Sequence, residues 1–546
     1  MRQTIDYFKF SFIAFFLLIF LGLDIENICY ADEPTLHGEY SLSGALHRTG
    51  GSGDKTLLRR GNFLTNELKL ESHIPLPGGD WNLDSNIDMR KTPDPQIDKR
   101  KDVNMLGWTT ELYNPFVRFT GGDFYGDFSQ YTLSQSLKGV QVAAKTDTFE
   151  LKGVAGYSQK QDEGSHFLRY VFGGRSETQV FQEWGIAKDL RAGVNFSDVE
   201  DDHSSIENKT GVPDASNRVG SVNNHVMLWD KTEIDSEAAK SWADDDTSPG
   251  NVVDRKKGTA VRVNSLTRFS KMSKAKLNYE WVTSQFETLN GSAVPDRVNF
   301  NGRWDYKFNQ EWGSDYSYRL MYDKLNKSTL NKRTMTQTPK IGLSWDPKAE
   351  DWLLKDYSQR VYWEMRNRTS DSDPSGKIDF QSNEYSIEND FAVENVNFDS
   401  GYTFRSEDDD QDKSNVNFDH SGYFGMKMRE KYQNATATPS LRYQFDYQAL
   451  PKQEGHDLTQ TLTAGLRLDM DNGLSFEQRY SASGAARLAD DADSTRFNVY
   501  LGLDYKLPRK EDMTLKVSYE LIALSHQVST SRFSENNLQV QLLWKF

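Results

Sequence analysis

Cysteine is almost missing from the 546 residues; Cys29 is the single instance. Without a second, no disulfide, CxxC zinc site or iron–sulfur cluster can form within the chain, and Cys29 opens no CxxCH haem motif. Proline is sparse and scattered, with 15 residues in all, which excludes collagen-like and Pro-rich linker architectures. Mean hydropathy is only −0.73, and one extended apolar run exists, near the N-terminus. A helical membrane protein would need several runs of about 20 residues. Basic residues are outnumbered, 65 Lys+Arg against 80 Asp+Glu for a net charge of −15. That balance gives no electrostatic footprint for nucleic acid. Catalytic signatures are missing too. There is no HExxH, GxSxG or phosphate-binding Walker loop, and the nine histidines are scattered. The chain therefore reads as no enzyme and as carrying no cofactor.

Aromatic residues, by contrast, are plentiful. With 31 Phe, 25 Tyr and 12 Trp, the chain is too rich in them to be disordered despite its charge. At the front, Arg2 and Lys9 precede an apolar stretch over 10–23, and a polar region ends at Cys29-Tyr30-Ala31. A basic segment, a short apolar segment and a small residue at the cut describe a signal peptide over 1–31. The apolar stretch is shorter than a membrane span requires. Cleavage after Ala31 would also remove Cys29.

The dominant periodicity is two. Leu538, Val540, Leu542, Trp544 and Phe546 alternate with Gln539, Gln541 and Lys545. Met513, Leu515, Val517, Tyr519 and Leu521 alternate with Thr514, Lys516, Ser518 and Glu520, and Phe497 to Leu507 behaves likewise. Trp81, Leu83, Ile87 and Met89 show the same phase near the front. Alternation over about ten residues, repeated along the chain, predicts strands with one apolar and one polar face. Tight turns are expected at Asp471-Asn472, Asn389-Asp390 and 508–512. Longer polar loops are expected at 370–376, 406–413 and 484–494. The count from His37 onward is about 24 strands, within 22–26, with 121–187 ambiguous.

A soluble propeller or β-helix would show a fixed repeat, and an array of sandwiches would show linkers; neither is present. A transmembrane antiparallel β-barrel instead turns its apolar face to lipid and its polar face to the lumen, with short turns on one rim and long loops on the other. The chain resembles Gram-negative outer-membrane β-barrel proteins over residues 37–546, and its last strand, with Trp544 and Phe546, matches the C-terminal assembly signal of that class. The resemblance implies a bacterial outer-membrane location, periplasmic termini and acidic loops outside. It also implies contact with outer-membrane lipid, lipopolysaccharide and the barrel-assembly machinery. Trp81, Trp108, Trp281, Trp304, Trp363 and Trp544 would then form interfacial girdles.

The polar phase places both signs of charge on the lumenal side: Arg442, Asp446, Arg467, Asp469, Glu477, Arg479, Lys506, Lys516 and Glu520. Charges survive there only beside water or a polar partner, so the interior is expected to be wet or occupied. Asp408, Asp410 and Asp412 alternate in an acidic run that partly mimics a calcium loop, but Lys413 stands where its sharp turn needs glycine. A solvated hairpin tip is the simpler reading, and no metal site is expected. Residues 199–256 look like one long polar loop, either folded into the lumen or outside. The segment Gly121–Phe128, running on to Gly139-Val140, resembles a barrel segment of pilus ushers; the usher's plug and periplasmic domains are missing, so usher function is not implied.

Strands are expected to begin just after the cleavage site, leaving no plug domain. The function expected is a porin-like channel passing small polar solutes or ions. The alternative is a structural barrel around a periplasmic partner. In outline the chain resembles the barrels of porin–cytochrome conduits, which enclose a multihaem cytochrome for electron export.

Overall fold

The computed structural model describes residues 34–546 apart from short stretches at 52–59, 78–79, 96, 99–101, 161–165, 207–212, 248–254, 324–332, 349–354, 371–377, 410–415, 452–454, 488–492, 508–511 and 528–530. The expected signal peptide, together with Asp410 and Asp412, lies outside the described residues.

Each strand pairs antiparallel with the next in sequence, and the last, Phe533–Lys545, pairs with the first, Thr35–Gly51, from Glu39↔Lys545 to Gly51↔Phe533. The ladder is thus closed. The segments Asn417–Met428 and Glu430–Tyr432 both pair with Ala435–Leu450 and form one interrupted strand, so the barrel has 26 strands. Closure removes every free sheet edge at the seam, the condition for a strand to lie in lipid. Phe546 completes it. Its backbone exchanges hydrogen bonds with Gly38 at 2.7 and 2.9 Å, and its ring covers the space where a Gly38 side chain would stand.

The count exceeds the expected 24 by two, and both extra strands fall in the segment 199–256. Instead of one loop it contains the end of Ala187–Asp202, all of Ser216–Leu228 and Thr232–Asp244, and the start of Lys256–Ser270. Alternation is weak there for a physical reason. The polar face of these strands is covered from inside, so it carries Val219, Ala239 and Ala260, all nearly or fully buried. The lipid-side phase of Ser216–Leu228 in turn includes Gly220 and Asn224. Apolar residues on the inner face cancel the period. The turn expected at Asn389-Asp390 is also displaced: Asp379–Val393 runs on, and the chain reverses at Glu394 (φ 54°).

The apolar phase faces outward and carries two aromatic belts. Near the rim of the termini, Trp312 stacks on Trp345 at 5.5 Å, and the series continues through Tyr357, Phe391, Phe398 and Phe424. Near the other rim, Tyr385, Phe404 and Phe418 follow one another, with His420 against Phe404 at 4.9 Å. Phe398 and Phe404 lie on one strand, Val396–Asp409, so the belts are roughly 20 Å apart along it. Rows of aromatic rings toward both ends of the strands are the pattern of a membrane-crossing barrel wall. Of the six expected girdle tryptophans, Trp108, Trp281, Trp304, Trp363 and Trp544 belong to this side of the ladder, and Trp81 lies just before the strand Asn82–Lys91; Trp304 and Trp544 are 47% and 41% exposed.

One hairpin departs from the wall. Val117–Ser129 pairs with Asn104–Tyr113 only from Tyr113↔Arg118 to Thr109↔Gly122. Leu133–Lys145 pairs with Phe149–Gln159 only from Lys145↔Glu150 to Lys138↔Tyr157. Beyond those points the two strands stay paired with each other and bend inward together. Gly122 makes the bend: its φ is 106°, and a Cβ there would stand 2.1 Å from the Trp108 carbonyl oxygen. Asp123 holds the corner, accepting from the Trp108 amide at 2.8 Å. Gly122→Val is therefore expected to abolish most of the compact, heat-modifiable species on cold gels. Gly44→Val, where nothing lies within 4 Å, is expected to fold like the parent.

Candidate functional site

The infolded hairpin lies across the inner wall. Along its length it packs Phe128, Leu133 and Leu137 on Val154 and Val171. Its tip reaches farther, onto Ala187–Asp202, Ser216–Leu228, Lys256–Ser270 and Ser273–Val282. Ser197 Oγ donates to the Thr132 carbonyl at 2.9 Å, Thr132 Oγ1 meets Ser221 Oγ at 2.9 Å, and Arg175 donates to the Phe128 carbonyl. Tyr131 is completely buried among Val219, Ala239, Ala260, Val282 and Phe286. Its hydroxyl donates to Glu280 Oε1 at 2.9 Å. Burial, together with the Glu280 carboxylate, pushes the Tyr131 phenol far above its usual range, so it remains a donor. Arg262 bridges the tip to the wall, donating to Gln130 and pairing with the buried Glu237 at 3.1 Å.

The segment 283–296 descends onto the same wall from the rim. Phe286 meets Tyr131 edge-on at 5.6 Å. Ser292 N donates to the Gln130 carbonyl at 2.7 Å, and Ser134 N to the Asn290 carbonyl at 2.8 Å. Asn217 fixes its middle, donating to the Glu287 carbonyl at 2.9 Å. A Cβ at Gly258 would stand 2.1 Å from Phe286 backbone, so this contact requires glycine. Hairpin and segment together form a fixed ledge over one side of the lumen, with its own small apolar core. This element is the one that the sequence left unread, although Gly121-Gly122 was a visible signal. The 121–140 segment is ambiguous in sequence because half of each strand serves the wall and half serves the ledge.

The opposite wall is uncovered. The register places Arg442, Asp446, Arg467, Asp469, Glu477, Arg479, Lys506, Lys516 and Glu520 on one face of consecutive strands, as Arg467↔Glu477, Arg479↔Tyr500, Tyr500↔Glu520 and Asp504↔Lys516 show. Arg442 pairs with Asp399 at 2.8 Å and lies over the Tyr423 ring at 4.4 Å. Arg467 pairs with Asp469 at 2.9 Å. Both arginines stay about half exposed, at 48% and 53%, so solvent reaches them. Arg467, Asp469, Lys506 and Lys516 share a recess of about 530 Å³ with Asp504 and Lys545. Arg442, Asp446, Glu477, Arg479 and Glu520 do not line it. Asp408 sits at the end of Val396–Asp409, and among the described residues no cluster of three or more metal-ligating side chains is present.

A closed antiparallel ladder with an even number of strands, aromatic belts and a polar inner face is the architecture of outer-membrane barrels. The chain is a transmembrane β-barrel of that type. No protein-family model and no curated protein matches it. Among solved structures it is similar to OccAB4 of Acinetobacter baumannii, at 12% identity and TM-score 0.27, over 94% of this chain and 98% of that one. It is also similar to the translocation pore of the P pilus usher PapC (11%, TM-score 0.29, 93% and 99%). Against the outer-membrane protein OprD of Pseudomonas aeruginosa the values are 10%, 0.31, 61% and 88%. Likenesses this loose transfer no residue roles.

Tyr131→Ala removes the ring at the centre of the ledge, at a cost of about 3–5 kcal/mol by analogy with buried aromatic truncations. It is expected to expose the hairpin tip to added protease in folded barrels. Tyr131→Phe loses one hydrogen bond to a carboxylate, about 1.5–3 kcal/mol, and should resist longer than the alanine variant.

Proposed function

We propose that the protein is an outer-membrane conduit for small polar solutes or ions, narrowed on one side by the ledge. The observation that carries this reading is the half-exposed, mixed-sign charge on the uncovered wall. Charged side chains keep such exposure only where water fills the space beside them. Size supports it. Twenty-six strands spaced ~4.8 Å and tilted ~40° close a circle of roughly 50 Å diameter, far more than a hairpin and a 14-residue segment fill. The nine charged residues from Arg442 to Glu520 would line the path.

The same breadth favours a second reading, a barrel that surrounds a periplasmic protein such as a multihaem cytochrome. The ledge would then be a fixed contact surface, and every haem would belong to the partner. We also read Trp544 and Phe546 as the signal that the assembly machinery recognises.

Purified, refolded chain in a planar bilayer separates the two main readings. Steady conductance on the nanosiemens scale, with Arg442→Glu/Arg467→Glu shifting the reversal potential toward cation selectivity, is the outcome expected of the conduit. Erratic giant openings that a periplasmic partner silences would support the enclosure instead. For the assembly signal, Phe546→Ala is expected to lower barrel yield in cells several-fold while refolding in detergent proceeds.

A further inference from the structure

By leaving the wall, the hairpin leaves a gap behind it. Residues 104–107 pair with Asn82–Lys91 on one side, but among the described residues no strand lies on their other side. Leu106 is skipped even in that pairing, between Asp88↔Gly107 and Met89↔Met105. Across the gap, Phe149–Gln159 loses its neighbour above Tyr157. Two strands are absent between these edges, so the opening is roughly 14 Å wide where the hairpin turns away.

Its height follows from strand length. Asn104–Tyr113 and Phe149–Gln159 have 10 and 11 residues, about what a tilted strand needs to cross the hydrocarbon. Their upper thirds, where the gap lies, therefore stand at the level of the outer leaflet. Backbone groups facing lipid without partners are costly, so an occupant whose polar head can hydrogen-bond at the edges fits the gap better than hydrocarbon alone.

Its lining is two-sided. A cavity of about 390 Å³ occupies the gap, bounded by Leu106, Phe124 and Leu137 and by Asp123, Lys138 and Ser158. Lys138 pairs with Asp123 at 3.0 Å at the root of the hairpin. The Ser158 hydroxyl is buried and makes no hydrogen bond. Apolar side chains thus stand beside a charge pair and an unused hydroxyl, within the size range of small-molecule sites.

We propose that this gap is a side door between the lumen and the outer leaflet, and that it takes single-chain amphiphiles. The acyl chain lies against Leu106 and Phe124, and the polar head reaches Ser158 and the Asp123–Lys138 pair. The ledge makes the door possible, because the residues that would have closed the wall are those that build it. The inference needs only the barrel in its membrane, so it stands or falls separately from solute conduction.

The test uses the full chain, in a Cys29→Ser background, reconstituted in phospholipid vesicles. Bimane is attached at Ser136→Cys, which lines the gap, or at Ser483→Cys on the uncovered wall. Doxyl-stearic acid is added as quencher. The expected result is quenching at least several-fold stronger at position 136 than at 483, reversed by unlabelled oleate. No quenching at 136, equal quenching at both positions, or quenching that oleate does not displace would overturn the proposal. Leu106→Lys, and Leu106→Gln as a milder variant, should reduce quenching at 136 while heat-modifiable mobility persists. Unchanged quenching in a variant that folds would also sink it.

Discussion

A bilayer offers backbone amides and carbonyls no water, and everything else in this protein depends on that constraint. It explains why 26 strands join in one closed ladder, why the last residue exchanges hydrogen bonds with Gly38, and why the termini share a rim. It also gives meaning to the place where the ladder is incomplete. A strand that leaves a membrane wall must satisfy its own backbone elsewhere, and the bent hairpin does so by staying paired with itself while its side chains find partners on the inner wall.

The ledge has consequences for the wall behind it. Once Phe128, Tyr131 and Leu133 cover the inner face, the strands beneath can bury Val219, Ala239 and Val282 there instead of solvated polar groups. Buried polar groups remain, but mostly in pairs: Ser221 with Thr132, Asn217 with the Glu287 backbone, Glu237 with Arg262. The result is a lumen with two unlike sides. One is a packed, dry layer against the wall. The other is a single-layer wall whose charges are exposed and whose ion pairs, screened by water, each contribute little to stability.

Legibility followed the same division. On the uncovered side, inner and outer environments differ sharply, so alternation survives. The strands carrying Arg442, Arg467, Arg479, Lys506 and Lys516 were readable as strands, and the register sets those side chains on one shared face. On the covered side, both faces are partly apolar, the period fades, and two strands within 199–256 read as a loop. The tryptophans at strand ends were readable because the interface selects indole wherever a strand crosses it.

The sequence by itself determined that the chain forms membrane-crossing strands and, outside 199–256, which face of a strand carries charge. These are local properties, set by side chains two residues apart along one strand. Only the tertiary structure decided the number of strands, the inward bend at Gly122, and the meeting of Tyr131 with Glu280 and Phe286. Those contacts join residues some 150 positions apart in the chain. No periodicity records such a meeting, because it exists only once the ladder has closed and brought the two walls together.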